Sequence, residues 1–367
     1  MKKQLGVLMA AAMVVGSLAG CSSKPAETKA ATEAATTAAA ETKAAETKAA
    51  TTETTAAGAA AGGLKTGMAV ITSLKSSKDA GDKDGKAQAD STVVALVLDA
   101  DGKIVSCSID DAQSKMGFTK EGKVVMTDAF KTKRESKEEY GMKAASGIGK
   151  EWYEQADAME QYVIGKTAEE VAGIAMDADT KPTDADLTAG VTIKMGDYIA
   201  AITEAANNAK EIGTQPGDKL GLGIVTNMEK SKDAASDKDG QCQAYSTYTA
   251  VTMGADGKIT AALIDSTQGT VKFDTTGKIT TDLTVGVKTK KQLGADYGMK
   301  AASGIGKEWD EQAAAMETYL VGKTIEEVSG IAIDEDTKPK DADLAASVTI
   351  SIGDFQATVA KAAANAK

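Results

Sequence analysis

The sequence predicts an α+β fold built twice in tandem, each copy an antiparallel sheet with packed helices, after a disordered stalk. Three observations carry this. The first is internal repetition: Tyr140–Glu160 reads YGMKAASGIGKEWYEQADAME and Tyr297–Glu317 reads YGMKAASGIGKEWDEQAAAME, differing at two positions. The second is order, because within each copy turn-punctuated β-branched runs come first and helical spacing follows, unlike the alternation of βα crossovers. The third is size: copies over 64–212 and 213–367 each lie near the commonest domain length and hold enough apolar residues for a core.

Each element follows from local pattern. Val93 to Leu98 is a β-branched apolar run, Asp101-Gly102 signals a tight turn, and Lys103 to Ile109 sets Val105, Cys107 and Ile109 on one face, which together predict a hairpin. The second copy repeats it around Asp256-Gly257, and further turns fall at Glu121-Gly122 and Thr276-Gly277. A helix is expected around Lys137 to Ala145, ending near Gly147, and another from about Lys150 to Val163. Thr167 and Glu170 form a capping box for a third, short helix. The closing helix is expected from about Gly196 to Lys210, with Ile199, Ile202 and Ala206 along one side. Thr214-Gln215-Pro216-Gly217 reads as the hinge between copies.

The N-terminus is of a different kind. Met1-Lys2-Lys3, an apolar stretch from Leu5 to Val15 and Leu18-Ala19-Gly20-Cys21 give the basic, hydrophobic and small-residue order of a secretory signal over residues 1–20. The last four residues resemble the lipobox of bacterial lipoproteins. That resemblance implies cleavage before Cys21, lipidation of its thiol and an exported chain facing outward, held to the cell membrane by lipid. Residues 21–63 are almost entirely Ala, Thr, Glu and Lys, with too little apolar surface to offset the entropy of ordering, and read as a disordered stalk.

Composition removes several functions. The net charge of −11 repels phosphate backbones, so nucleic acid is not an expected partner. The chain has no histidine, which excludes Ser-His-Asp and Cys-His catalysis and histidine-ligated zinc or haem. Besides Cys21 only Cys107 and Cys242 remain, at positions occupied in the other copy by Ala262 and Ala87, so no disulfide recurs within the units. One bridge between the copies stays open, but two unpaired buried thiols are expected.

Several motifs are weak on residue chemistry. Gly165-Lys166-Thr167 and Gly322-Lys323-Thr324 lack the earlier glycine of a phosphate-binding loop, where Glu160 and Glu317 stand, and read as a helix stop followed by a cap. Asp82-Lys83-Asp84-Gly85 and Asp237-Lys238-Asp239-Gly240 resemble half a calcium loop. Its first ligand position holds Ala80 or Ala235 and its twelfth Ser91 or Ser246, so a solvated turn is expected and no metal. Gly221-Leu222-Gly223 reads as a strand entry. Glu151, Glu154 and Glu160, with Glu308, Glu311 and Glu317, read as the wet face of a helix, and Trp152 and Trp309 as core.

The remaining segment is Asp186 to Thr192, Asp-Leu-Thr-Ala-Gly-Val-Thr, with Asp343 to Thr349 in the second copy. An Asp, a small-residue turn and a Thr before a helix can present N–H groups and a hydroxyl to a phosphate. The alternative on residue chemistry is a short Val-Thr-Ile strand and an ordinary cap. The layout of each unit, from the hairpin through Tyr-Gly-Met-Lys, the Trp-containing helix and this segment to the Ala-rich last helix, resembles the FMN-binding domain of bacterial surface lipoproteins. In that family an Asp-x-x-Ser-Gly-Ala-Thr segment carries FMN, sometimes as a phosphodiester on the threonine. Asp186, Gly190 and Thr192 match it, while Ala189 and Val191 depart; in the second copy Asp343 and Thr349 match, and Ala346, Ser347 and Val348 depart.

The resemblance implies a cofactor site at Asp186, Gly190 and Thr192, and at Asp343, Ser347 and Thr349, with FMN as cofactor and no catalytic residues of the chain's own. Electron transfer outside the cytoplasm, to a redox partner in the envelope, is the function it implies. The competing expectation is a non-redox envelope lipoprotein, solute-binding, structural or antigenic, that keeps the fold without cofactor.

Overall fold

The computed structural model describes residues 63–127 and 129–367. The expected signal sequence and Cys21, and all of the expected stalk except Gly63, lie outside these residues. Among the described residues no helix is long and apolar enough to cross a membrane.

In the first repeat, β1 (Lys65–Ser73), β2 (Gly85–Leu98), β3 (Ile104–Phe118) and the two-residue β4 (Val124–Val125) form an antiparallel sheet in sequence order. The β2–β3 hairpin turns at Asp101-Gly102, where Asp99 Oδ1 accepts from the backbone N–H groups of Asp101 and Lys103 at 2.9 Å each. Then come α1 (Lys133–Ser136), a 3₁₀ turn (Lys137–Tyr140), α2 (Trp152–Val163), α3 (Ala168–Ala172), α4 (Ala185–Thr188) and α5 (Gly196–Asn208). The second repeat follows with β5 (Lys219–Asn227), β6 (Gly240–Met253), β7 (Ile259–Phe273), α6 (Lys290–Leu293), a 3₁₀ turn (Gly294–Tyr297), α7 (Trp309–Leu320), α8 (Ile325–Ser329), α9 (Ala342–Ala345) and α10 (Gly353–Ala364). Its sheet is three-stranded and antiparallel. The α+β class follows, and Thr167 with Glu170 forms the expected capping box at α3.

The two sheets pack face to face, with helices outside. On β2, Val94, Leu96 and Leu98 join the core under α2 and α5, while Val93, Ala95 and Val97 meet Leu220, Leu222, Ile224 and Ala250 of the second sheet. Both faces are covered, so β2 reads as a continuous apolar run and not as an alternating one. Phe118 and Phe273 stack across the repeats at 4.3 Å between ring centroids. Paired backbone bonds, Ala80 N–H to Gly277 C=O at 2.9 Å and Ala234 N–H to Gly122 C=O at 2.8 Å, join the loops on either side. Each closing helix presses onto the first strand of its own repeat: a Cβ at Gly67 would lie 1.9 Å from the Ala205 carbonyl oxygen, and one at Gly221 1.9 Å from that of Ala362.

Four expectations are corrected. No helix spans Lys137 to Ala145, because Lys137 and Gly141 take φ of 44° and 74°, so only α1 and one 3₁₀ turn form. The closing helix stops at Asn208. No Val-Thr-Ile strand forms at residues 191–193. Glu151 and Glu160 do not lie on a wet face: they are 4% and 5% exposed. Glu151 accepts the Met142 N–H at 2.8 Å, and Glu160 Oε1 takes the Ile109 N–H at 2.7 Å and the Arg134 guanidinium at 2.6 Å. Lys367, from the second repeat, holds Glu160 Oε2 at 2.6 Å. Cys107 and Cys242 are free and buried, and burial raises both thiols.

Candidate functional site

A cavity of about 580 Å³ opens in the first repeat between β2, β3, α1, α2 and the start of α5. Its volume falls within the roughly 300–1,000 Å³ typical of small-molecule sites. Its polar side is set by the strands: Asp90 on β2 and Asp111 on β3 both line it. Asp111 is 6% exposed, and its Oδ2 accepts from Lys133 Nζ at 2.7 Å and from the Tyr198 hydroxyl. The indole N–H of Trp152 donates to the Tyr198 oxygen at 3.0 Å, extending the chain from α2 to α5 to β3 to α1. Asp111 Oδ1 has no partner, although buried polar atoms are as a rule satisfied.

Electrostatics follow from this arrangement. Burial disfavours the Lys133 ammonium, but the Asp111 carboxylate outweighs it, and the lysine is held above its ordinary value. Burial, then Asp111, pushes the Tyr198 phenol well up, so Tyr198 stays a protonated donor. Lys133 Nζ also lies 5.3 Å from the ring centroids of both Tyr140 and Trp152. Asp90, Asp111 and Asp197 face Lys133, Lys181 and Lys194 around the lining, so the site is close to neutral within an acidic protein.

The outer part is built by the segment before α5. Thr192 is half-buried and lines the cavity; its N–H donates to Gln155 Oε1 at 2.8 Å and its hydroxyl to the same atom at 3.2 Å. Gln155 is fully buried and donates in turn to Ser146 Oγ and Lys150 C=O, each at 3.3 Å. Thr180, at φ 63°, accepts the Met195 N–H at 2.7 Å and fixes the entry to α5. That helix has no side-chain cap, and its first residues Gly196, Asp197 and Tyr198 line the cavity beside the exposed Lys181 and Lys194. Uncapped N–H groups at the positive end of a 13-residue helix suit an anion.

Of the six residues singled out in the sequence, Thr192 alone lines this cavity. Asp186 is exposed in the first turn of α4, and the turn is fixed by Asp184, whose Oδ1 accepts the Asp186 and Leu187 N–H groups at 3.0 and 3.1 Å. Gly190 permits a close approach to α2, since a Cβ there would lie 2.9 Å from Ala158 Cβ. In the second repeat Asp341 caps α9 in the same way, Asp343 is exposed, and Ser347 donates its hydroxyl to Leu344 C=O at 3.2 Å. Thr349 keeps the Thr192 geometry, bonding Gln312 Oε1 at 2.8 and 3.2 Å. Sequence reasoning missed Asp111, Lys133, Gln155 and Tyr198. The acidic loops at 82–85 and 237–240 are exposed turns or strand entries, and no cluster of metal ligands occurs among the described residues.

The corresponding region of the second repeat is different. Tyr245, Ser266 and Phe355 stand where the first repeat has Asp90, Asp111 and Tyr198. Lys290, the counterpart of Lys133, bonds the Tyr245 hydroxyl at 2.6 Å and lies 4.5, 4.7 and 4.9 Å from the rings of Tyr245, Tyr297 and Trp309. Burial pushes it down to about 7, against the more distant carboxylates of Asp265 and Asp354. A cavity of about 340 Å³ there is lined by Gln268 and Lys290 but does not reach Trp309, Gln312 or Thr349.

No family model matches the chain, and no solved structure matches it. Over 153 residues, 38% of this chain, it is 31% identical to a chlorophenol reductase of Desulfitobacterium hafniense, of which the match covers 44%. The chain therefore spans less than half the length of that relative, and what it shares with it is similarity to part of a reductase.

Proposed function

We propose that this chain is an outward-facing, lipid-anchored redox carrier whose first repeat binds FMN. The single observation that carries the reading is the cavity beside Thr192, where an uncapped helix start, two exposed lysines and an orphaned buried carboxylate oxygen converge on one space. The residues present fit the group. Thr192, Lys181, Lys194 and the first N–H groups of α5 suit its phosphate, Met142, Trp152 and Ile193 supply apolar contact for a planar ring system, and Asp111 offers an acceptor to a ring N–H. Bound there, flavin supplies one- or two-electron transfer, while the chain binds, orients and sets polarity. Similarity to part of a reductase agrees with redox chemistry. Thr192 has its hydroxyl held by Gln155, and we place the cofactor noncovalently. The membrane is reached through lipid on Cys21, and electrons pass to or from a partner in the envelope.

Absorbance of the purified native protein, with intact mass before and after denaturation, tests this. Flavin absorbance that is lost from the chain on denaturation, and weakened by Thr192→Ala, is the expected result. A colourless protein that ignores added FMN overturns the reading and leaves the non-redox envelope lipoprotein.

A further inference from the structure

The two repeats share a fold and the threonine–glutamine clamp, yet they do not offer the same space. In the first repeat the short Asp90 side chain on β2 leaves the region above Lys133 open, and Asp111 supplies the lysine with a counter-ion. In the second, Tyr245 stands at the Asp90 position and its hydroxyl reaches Lys290 Nζ at 2.6 Å. Ser266 replaces the counter-ion, and Lys290 is 4% exposed with no carboxylate within ion-pair distance among the described residues. Its ammonium is satisfied by the Tyr245 oxygen and by three ring faces within 5 Å instead. Phe355, at the Tyr198 position, packs edge-on to Trp309 at 6.0 Å and supplies no hydroxyl. The residual cavity is about 340 Å³ and stops short of Thr349.

We infer that the second repeat is closed to the ligand of the first by its own Tyr245, latched onto Lys290, so that the chain binds one cofactor and the residue at position 90 or 245 sets occupancy. This rests on the FMN reading for the identity of the ligand, but not for the closure itself. An aromatic ring in place of a short carboxylate fills the space that the ligand needs, and the lysine that faces a carboxylate in one repeat faces the plug in the other.

Two measurements test it. Calorimetric titration of the whole chain with FMN is expected to give one site per chain, none in Asp90→Tyr, and a second site in Tyr245→Asp/Ser266→Asp. Two sites in the wild-type chain, or unchanged binding in Asp90→Tyr, overturn the inference. Acrylamide quenching of Trp309 in Trp152→Phe needs no cofactor: with the indole 1% exposed and Tyr245 and Trp309 both against Lys290, quenching is expected to be weak, and adding Tyr245→Ala should raise it. A wild-type chain that binds no FMN but whose Trp309 quenching rises with Tyr245→Ala sinks the flavin reading alone. Trp309 quenching left unchanged by Tyr245→Ala sinks the plug.

Discussion

Replacing Gln155 by Ala should remove the brace of the site. Gln155 is fully buried, its oxygen holds the Thr192 N–H and hydroxyl, and its amide nitrogen reaches Ser146 Oγ and Lys150 C=O. The N–H bond at 2.8 Å and the two 3.3 Å bonds are worth about 1 kcal/mol each, and the space left by the side chain adds to the loss. A destabilisation of about 2–4 kcal/mol follows, read as a fall in denaturation midpoint at unchanged slope. Gln312→Ala deletes the same set of bonds in the second repeat, to Thr349, Ser303 and Lys307, and should cost a similar amount. Ligand binding separates the pair. With Thr192 released, Gln155→Ala should weaken FMN under conditions where the protein is still folded, whereas Gln312→Ala should leave it unchanged. A loss below about 0.5 kcal/mol in both variants would refute the brace, since surface-like tolerance is incompatible with a buried amide holding three segments.

Two further outcomes follow from buried groups elsewhere in the fold. Burial pushes the Asp110 carboxyl from 3.8 up to about 7, against the Thr132 hydroxyl and the backbone N–H groups and charge nearby. The native state therefore binds a proton in that window which the unfolded chain has released, and stability falls as pH rises from about 4 to 7, by at most about 4 kcal/mol. Asp110→Asn, which keeps the acceptor for the Asp111 and Arg134 N–H groups, should flatten that slope in denaturation midpoints measured across pH; an unchanged slope refutes the assignment. Gly67→Ala and Gly221→Ala each place a methyl 1.9 Å from a helix carbonyl oxygen that cannot move alone, so each should destabilise by about 3 kcal/mol or more. Gly147→Ala, with nothing within 4 Å of its Cβ, should be close to neutral in the same thermal melts.

Legibility in the sequence followed the range of the interaction. The hairpin at Asp101-Gly102, the Thr167–Glu170 box and the stop at Gly165 depend on residues within a few positions of one another, and each was readable. Glu160 was misread because its partners arrive from far along the chain: Arg134 lies 26 residues earlier and Lys367 lies 207 later, and a helical spacing cannot register either. The motif match points to Asp186, whereas the local rule that a cap precedes its helix points to Asp184. The continuous run Val93–Leu98 did carry a long-range signal. A strand apolar on both faces requires a cover on both, and the second cover is the other repeat.

The site, by contrast, was written in the differences between the copies. Tyr140–Glu160 and Tyr297–Glu317 are nearly identical because α2 and α7 serve a shared purpose, seating a tryptophan, a glutamine brace and a buried glutamate against a sheet. Three positions that differ in chemistry, Asp90 against Tyr245, Asp111 against Ser266 and Tyr198 against Phe355, sit at one place in the fold, near the lysine of α1 or α6. Those changes move together for a physical reason. Once Asp111 becomes Ser the lysine loses its ion pair, a buried cation without a partner is costly, and an aromatic hydroxyl with ring faces is a replacement that also excludes water. The residues that close this region and those that satisfy the buried lysine are then one set, while the sheet of the second repeat covers the outer face of the first.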